Sequence, residues 1–211
     1  MERSKKSLMR EKERNSEEMQ DFRNQIEIFF NKTGLREAVQ YKLKVDLGCM
    51  TNMPYYGIAK GSRHRILPLD AITECCFALI DYNNLSFAEK LLSWLTKQQN
   101  QSFRKISPIP KAQKERKKQL GSNATWEHPI PLKVSRTIII DYIKAKNRDG
   151  IKDYLKYLSE VPQIALPIEL DNQLTKAGLK YNMPNGWNWK DPDSKFKRYL
   201  SIGINLSEVL C

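Results

Sequence analysis

Length, composition and charge limit the protein class before any motif is considered. The chain has 211 residues, of which 40% are hydrophobic and 9% aromatic, enough for a buried core, so general disorder is excluded. It carries 36 Lys and Arg against 24 Asp and Glu, a formal net charge of +12. This charge favours a nucleic-acid partner over an anionic membrane or an acidic protein. The alternative is that positive charge only keeps the protein soluble.

The cysteines and the N-terminus indicate a reducing compartment. The chain contains no Cys-x-x-Cys spacing, which argues against a disulfide framework or a structural zinc site. The charged residues 1–6 lack the apolar stretch of a signal peptide, and no apolar run is long enough to span a bilayer. We therefore expect a cytoplasmic protein without a membrane partner. The four cysteines are Cys49, Cys75, Cys76 and Cys211.

Residues 1–33 predict one long N-terminal helix. Its first half alternates acidic and basic residues, a pattern typical of a solvated helix. Its second half has an apolar stripe at a spacing of three and four residues. This stripe packs either on the body of the protein or on a second copy, which makes a homodimer through residues 19–30 one of two interpretations. The stripe consists of Met19, Phe22, Ile26, Phe29 and Phe30.

Residues 34–101 form a helical region with one ambiguous segment. Over residues 35–66, Leu35, Val39 and Leu43 have helical spacing, whereas the alternation from Tyr41 to Leu47 is typical of a strand. A glycine-started loop in this segment contains Arg63 and Arg65, which can bind phosphate, although the spacing of a P-loop is absent.

A helical hairpin is predicted next along the chain. Asp70 is placed to cap a helix over residues 71–81, and Asn83-Asn84 ends it. Ser86-x-x-Glu89 has the spacing of a capping box for a helix that reaches about residue 99. Two helices joined by so short a break pack antiparallel.

Residues 102–125 are predicted to be a basic surface loop. Loops of this length inside a domain are usually functional or disordered. Residues 111–119 have no apolar face, so we expect them to become helical only on a partner. The segment holds one acid, Glu115, among its basic groups, which we expect to bind phosphates. These groups are Arg104, Lys105, Lys111, Lys114, Arg116, Lys117 and Lys118.

Residues 126–211 predict a C-terminal α+β region. Helices are expected over residues 132–146, 151–159, 168–177 and 196–200, a short strand over 162–167, and a tryptophan-rich turn over 183–189. The fold class is therefore mainly α with a few short strands (α+β), with a helical-hairpin core and a long N-terminal helix. We expect one compact domain.

The pair Glu127-His128 is the strongest candidate for chemistry. A histidine titrates near neutral pH and can act as a general acid or base, and Glu127 can orient its imidazole. Pro129 restricts the backbone of His128 to an extended conformation. Lys133 and Arg136, one turn into the next helix, can stabilise a pentavalent transition state as fixed positive charge. The structural alternative is that His128 only caps the helix or stacks on Trp126.

Glu127-His128-x-x-Pro131 resembles the first half of the HNH (His-Me finger) nuclease motif. The resemblance covers Glu127, His128, Ile130 and Pro131. It implies a ββα fold in which the histidine activates water beside a divalent metal such as Mg²⁺, held by a later Asn and His. The chain has no histidine after His128, and Pro131 leads into a helix, so the metal-binding half is absent. From the residues alone we therefore predict no metal ligand.

Two further patterns bear on nucleic acid. Asp191 and Asp193-x-Lys195 have the residue types of another nuclease class, but they lie in a polar turn, and a solvated turn is the favoured interpretation. Trp187 and Trp189 beside Lys190 combine stacking surfaces with a cation, as do Tyr55-Tyr56 beside Lys60, Arg63 and Arg65. Aromatic residues in turns also pack simply on their own domain.

Two hypotheses follow from the sequence. The first is a nucleic-acid-binding protein, leaning to a small nuclease in which residues 104–118 bind phosphates and His128 transfers protons. The second is a non-enzymatic interaction or regulatory protein that binds an acidic protein or nucleic acid. In the second hypothesis the N-terminal helix dimerises or docks.

Overall fold

The protein is described by a computed structural model that covers residues 17–46, 69–96 and 105–210. Within these ranges the chain forms ten α-helices and one two-stranded antiparallel sheet. The predicted fold class, mainly α with a few short strands, is confirmed. The contacts divide the chain into two compact units, unit 1 over Met1–Ser102 and unit 2 over Phe103–Cys211.

Unit 1 is helical throughout its described residues. The long N-terminal helix is confirmed over its second half, whereas residues 1–16 lie outside the described ranges. Between residues 37 and 46 the helical alternative is correct: Val39 and Leu43, four residues apart, are buried on one side of the helix, and Leu35, just before its start, is buried too. Residues 47–68, with Arg63 and Arg65, are outside the described part. The helices are α1 (Glu17–Thr33), α2 (Glu37–Asp46), α3 (Leu69–Tyr82) and α4 (Leu85–Leu95).

The apolar stripe of α1 packs inside unit 1. The ring of Phe22 lies 5.9 Å from that of Phe87 and 6.4 Å from that of Trp94, both on α4. Phe29 lies 5.4 Å from Tyr82 and 5.2 Å from Phe87. Ile26 and Phe30 are buried as well. The part of the predicted dimer face from Phe22 to Phe30 is therefore covered by the chain's own helices, which supports the intramolecular interpretation.

The turn between α3 and α4 differs in detail from the prediction. Asn83 has a positive φ of 52°, which an asparagine tolerates better than most residues. The side chain of Asn84 accepts a hydrogen bond from the backbone N–H of Phe87 at 3.0 Å. Asn84 is therefore the N-cap. Ser86, predicted as the cap, is already the second helical residue because α4 begins at Leu85.

Cys75 and Cys76 behave as small apolar residues of α3. Both thiols are buried in the core of unit 1. Burial raises the pKa of Cys75 to about 12 and the pKa of Cys76 well above its ordinary value. Neither thiol is ionised near neutral pH, so neither is a nucleophile.

Phe22→Glu is expected to destabilise the protein strongly. It removes an aromatic ring from the core, a loss that typically costs about 3–5 kcal/mol, and it places a carboxylate in an apolar site. Urea denaturation of the full chain measures the change. Ile28→Glu, on the same helix but 45% exposed, is the control and should change the free energy of unfolding by less than about 0.5 kcal/mol. Equal effects of the two changes would show that α1 does not pack through Phe22.

Unit 2 combines six α-helices with the sheet in its described residues. The predicted helices after Pro131 and the short strand near Pro167 are confirmed. Short 3₁₀ turns over Gly121–Asn123 and Ser194–Phe196 precede β1 and α9. The elements are α5 (Lys111–Leu120), β1 (Ala124–Glu127), α6 (Leu132–Lys144), α7 (Arg148–Glu160), β2 (Ile164–Pro167), α8 (Ile168–Lys176), α9 (Lys197–Leu200) and α10 (Ser207–Leu210).

The two strands pair across the helices that separate them in sequence. Ala124 lies opposite Pro167, and Glu127 lies opposite Ile164, in antiparallel register. Ile164 and Leu166, two residues apart, belong to one apolar cluster. The sheet is therefore a non-local element that places the end of β1 beside the C-terminal helices. The other buried members of the cluster are Leu170, Leu174, Tyr199, Ile204 and Val209.

Helices α6 and α7 form a hairpin with a tight turn. The side chain of Asn147 caps α7 by accepting a hydrogen bond from the N–H of Gly150 at 2.8 Å. A side chain at Gly150 would meet the ring of Tyr142 at 2.5 Å, so glycine permits the close approach. Between the helices the buried hydroxyl of Tyr154 donates to Ser135 Oγ at 3.0 Å.

Candidate functional site

The basic segment is anchored to the sheet by polar side chains. Gln113 is buried; its Oε1 accepts from the N–H of Ala165 at 2.7 Å, and its Nε2 donates to the carbonyl of Val209 at 3.0 Å. Arg116 Nε donates to the carbonyl of Ala165 at 3.2 Å. Together the two side chains satisfy both backbone groups of Ala165, as a neighbouring strand would.

This anchoring corrects the prediction of a basic loop over residues 102–125. From Lys111 to Leu120 the segment is a helix, and from Ala124 onwards it is strand β1. The helix lacks an apolar face, as expected, but hydrogen bonds from Gln113 and Arg116 hold it in place. Apolar periodicity cannot reveal such a contact because it depends on the position of β2.

The predicted phosphate-binding residues divide into two groups. Arg116 and Lys117 are half-buried and bind backbone carbonyls: Arg116 also binds that of Glu208, and Lys117 Nζ lies 2.5 Å from the oxygen of Gly121 and 2.8 Å from that of Ala124. They therefore stabilise the fold. Arg104, like Arg63 and Arg65, lies outside the described residues.

The remaining lysines face solvent. Lys111, Lys114 and Lys118 are exposed and are spaced by three and four residues, so they lie on one side of α5. We call these three residues the lysine face. Lys118 Nζ pairs with Glu115 Oε1 at 3.0 Å. Lys105, before the helix, is exposed too.

A fully buried guanidinium lies at the centre of unit 2. The side chain of Arg198 is 0% exposed and pairs with the carboxylate of Glu127. It also donates to the carbonyl of His128 at 2.6 Å and contacts Tyr199 Oη at 3.1 Å. Further donors reach the carbonyls of Leu179 at 3.1 Å and Lys180 at 3.2 Å.

Burial acts on both members of this pair. It raises the pKa of the Glu127 carboxyl, and the Arg198 guanidinium opposes that shift by favouring the carboxylate. For Arg198, burial acts to lower the pKa, but the neighbouring Tyr199 and Glu127 raise it above its ordinary value. Arg198 therefore keeps its charge, and removing it would leave Glu127 without its counter-ion in a largely buried position.

The predicted catalytic residues differ in their exposure and contacts. His128 is only 8% exposed, in a buried turn between β1 and α6, and its carbonyl binds Arg198. A general base must reach the proton it removes, and the carboxylate of Glu127 is already engaged. Lys133 is exposed and Arg136 is half-buried. We infer that Glu127 and His128 hold the fold together.

The strand order differs from that of an HNH motif. After His128 the chain enters α6 at Leu132, and β1 pairs with β2 rather than with a strand that follows His128 directly. In the described residues no group of three or more His, Cys, Asp and Glu side chains is arranged to hold a metal ion. Asp191 and Asp193 are exposed in a turn.

Lys133 is one of the residues that line an aromatic groove. The groove has a volume of about 360 Å³ and is formed by α6 and the segment 181–193, which we call the Trp loop. Tyr181, Trp187 and Trp189 contribute rings, and Val134 and Ile138 contribute apolar side chains of α6. The polar lining residues are Lys133, Thr137, Asn182 and Asn188.

Ser194 holds the Trp loop in shape. It is buried; its carbonyl accepts from the indole N–H of Trp187 at 2.9 Å, and its hydroxyl donates to the carbonyl of Trp189 at 2.9 Å. The hydroxyl of Tyr157 lies 2.7 Å from Ser194 Oγ. The ring of Trp189 packs 5.2 Å from that of Tyr154 and 5.4 Å from that of Tyr157. The rings of Trp187 and Trp189 are therefore held in place before any ligand binds.

Sequence reasoning missed Arg198, Ser194 and Tyr181. Arg198 lies in a helix of one turn, where no periodicity distinguishes a buried arginine from an exposed one. Trp187 and Trp189 could have indicated one wall of the groove. The other wall is α6, which is distant in the sequence, so the sequence does not show that the two come together. Val134 and Ile138, two apolar residues of α6, are only half-buried because they line this groove.

Comparisons with known proteins give no guide to the family. No protein-family model, no curated protein and no solved structure matches the chain. Among the described residues, none of the helices has the length and apolar character needed to cross a bilayer.

Arg198→Met is expected to lower the free energy of unfolding by about 3–5 kcal/mol, because it leaves Glu127 buried without its counter-ion. The double variant Arg198→Met/Glu127→Gln should recover part of the loss, since the uncompensated charge is then gone. Urea denaturation of the full chain provides the measurement. Lys156→Met, at an exposed position of α7, is the control and should be nearly neutral. A single variant as stable as wild type would mean that the pair does not hold unit 2.

Proposed function

We propose that unit 2 binds nucleic acid without cleaving it, with the lysine face of α5 as its phosphate-binding surface. The observation that carries the proposal is that α5 has two sets of polar residues, one that binds the sheet and one that is exposed to solvent. Gln113 and Arg116 fix the helix to the sheet, while Lys111, Lys114 and Lys118 project from the exposed side. A rigid row of cations suits a regular polyanion.

The charge of unit 2 supports this partner. Residues 103–211 contain 20 Lys and Arg and 11 Asp and Glu, so unit 2 carries +9 of the net +12. A surplus of this size attracts polyanions over distances of about a Debye length and favours their association. An acidic protein partner would need carboxylates at positions that match these lysines. A nucleic acid carries a phosphate at every nucleotide, so it needs no such match.

The dimensions of the lysine face match a nucleic-acid strand. From Lys111 to Lys118 the helix rises about 10 Å, at 1.5 Å per residue. One strand of a duplex carries a phosphate about every 3.4 Å along the axis, so this length spans about three phosphates. Three lysines therefore face about three phosphates.

Binding is favoured over hydrolysis by the placement of the predicted catalytic pair. The carboxylate of Glu127 is bound by a fully buried guanidinium, and His128 is buried in the turn that follows β1. Neither is placed to reach a phosphodiester on the surface. Lys133 is exposed and is available for binding instead.

The triple variant Lys111→Gln/Lys114→Gln/Lys118→Gln tests the proposal. For this variant we expect the slope of log affinity against log salt concentration to be less steep than for wild type, by about 2 for a single strand and about 3 for a duplex. Each phosphate contact releases about 0.7 counterion from a single strand and about 0.9 from a duplex, and three contacts are lost. Fluorescence anisotropy with labelled oligonucleotides at several salt concentrations measures both affinity and slope.

The matched control removes the same charge elsewhere. Lys152→Gln/Lys156→Gln/Lys176→Gln changes three exposed lysines of α7 and α8. It should leave the salt slope nearly unchanged and weaken binding only through the lower net charge. If both triple variants behave alike, the lysine face is not the binding surface, and a wild-type protein that binds no oligonucleotide contradicts the function itself.

A further inference from the structure

We infer that the aromatic groove between α6 and the Trp loop binds an unpaired nucleobase, so that the nucleic acid recognised is single-stranded. The inference rests on the proposed function, since it names the class of nucleic acid that unit 2 binds. Its basis is a set of three aromatic rings, of which those of Trp187 and Trp189 are held in place, beside an exposed lysine in a strongly basic unit.

The rings offer their faces to a ligand. Tyr181 is 61% exposed, and Trp187 and Trp189 are partly exposed. The indole N–H of Trp187 already donates to Ser194, so this ring interacts through its π surface. Base–aromatic stacking requires such a surface, and it tolerates any base because every base has a π face.

The groove has the size and the opening that a base in a polymer needs. Its volume of about 360 Å³ lies at the small end of ligand sites, suited to a base with part of its sugar. Lys133, Asn182 and Asn188 are exposed at its margin, so a strand can enter and leave. An enclosed cavity would admit only a free nucleotide.

The polar groups complement a nucleotide. Lys133 is part of the lining, and Lys190 Nζ lies 5.6 Å from the centre of the Trp189 ring. None of the lining residues is acidic, so the groove presents no charge that repels phosphate. The amides of Asn182 and Asn188 add hydrogen-bonding groups that can meet a base edge.

Two other occupants fit less well. A duplex keeps its bases stacked inside and presents no base face to the rings, so it cannot use the groove. A proline-rich peptide also packs on aromatic grooves, but it has no need for the lysines at this margin or for a net charge of +9.

Tyr181→Ala is the most direct variant, since this exposed ring contributes little to the core. Three probes separate the contributions: a labelled oligothymidine, a duplex, and an abasic oligonucleotide of equal length, which keeps the phosphates and lacks the bases. We expect the variant to bind oligothymidine about 10- to 100-fold more weakly. Its affinity for the other two probes, and its salt slope for oligothymidine, should stay as in wild type because no cation is removed.

Controls separate stacking from unfolding. Tyr41→Ala removes a tyrosine of α2 that is 50% exposed and should bind every probe as wild type does. Trp187→Ala should repeat the selective loss on oligothymidine, and circular dichroism shows whether it is folded. The Tyr181 variant decides the question if the Trp187 variant unfolds.

The outcomes distinguish this inference from the proposed function. Unchanged oligothymidine affinity in Tyr181→Ala, with the lysine-face variant impaired on all probes, overturns the groove and leaves the function intact. An equal loss on duplex and single strand, or displacement of oligothymidine by a polyproline peptide, also overturns the groove. Failure of wild type to bind any of the three probes contradicts both.

Discussion

Arg198 joins parts of unit 2 that are far apart in the sequence. Its guanidinium binds Glu127 and the carbonyl of His128 at the end of β1, and the carbonyls of Leu179 and Lys180 after α8. The Trp loop leaves the body just after Lys180 and returns just before Arg198. The same buried charge therefore fixes the end of the sheet and closes the base of the loop that carries the aromatic groove.

A charge in this position needs every one of its contacts. Taking an arginine and a carboxylate out of water is costly, and the cost is recovered only when hydrogen bonds complement the ion pair. Arg198 has four oxygen partners besides Glu127, three of them backbone carbonyls from the turn after β1 and from residues 179–180. In this arrangement the most conspicuous motif of the sequence, the Glu-His pair, supplies a carboxylate and a backbone carbonyl to the buried guanidinium.

The basic helix α5 shows the same division between structure and surface. Arg116 and Lys117 bind backbone oxygens, and Arg116 with Gln113 covers the edge of β2. An uncovered strand edge would be open to pairing with another chain, and a helix that supplies both a donor and an acceptor prevents this. The positive charge that α5 exposes is thus a row of three lysines on its outer side, fewer than the seven basic residues of the sequence run.

The periodicity of apolar residues predicted the elements that have an apolar face. It failed for the elements whose position depends on polar contacts. The stripe from Phe22 to Phe30 correctly indicated a packed helix, and the apolar spacing after Pro131 correctly predicted helices α6 and α7. The helicity of α5 was missed because its anchor is the buried amide of Gln113. Arg198 was missed because only the tertiary fold brings it to Glu127, and a local pattern contains no information on that distance.

The four tryptophans provide the most direct test of where nucleic acid binds. Trp94 packs in unit 1 and Trp126 lies in β1, whereas Trp187 and Trp189 line the groove. In a ¹H–¹⁵N spectrum each indole N–H gives one signal, and a base stacked on a ring shifts that signal. On titration with oligothymidine the account predicts that the signals of Trp187 and Trp189 move and those of Trp94 and Trp126 stay in place. Movement confined to Trp94 or Trp126, or no movement at a saturating concentration, would contradict it.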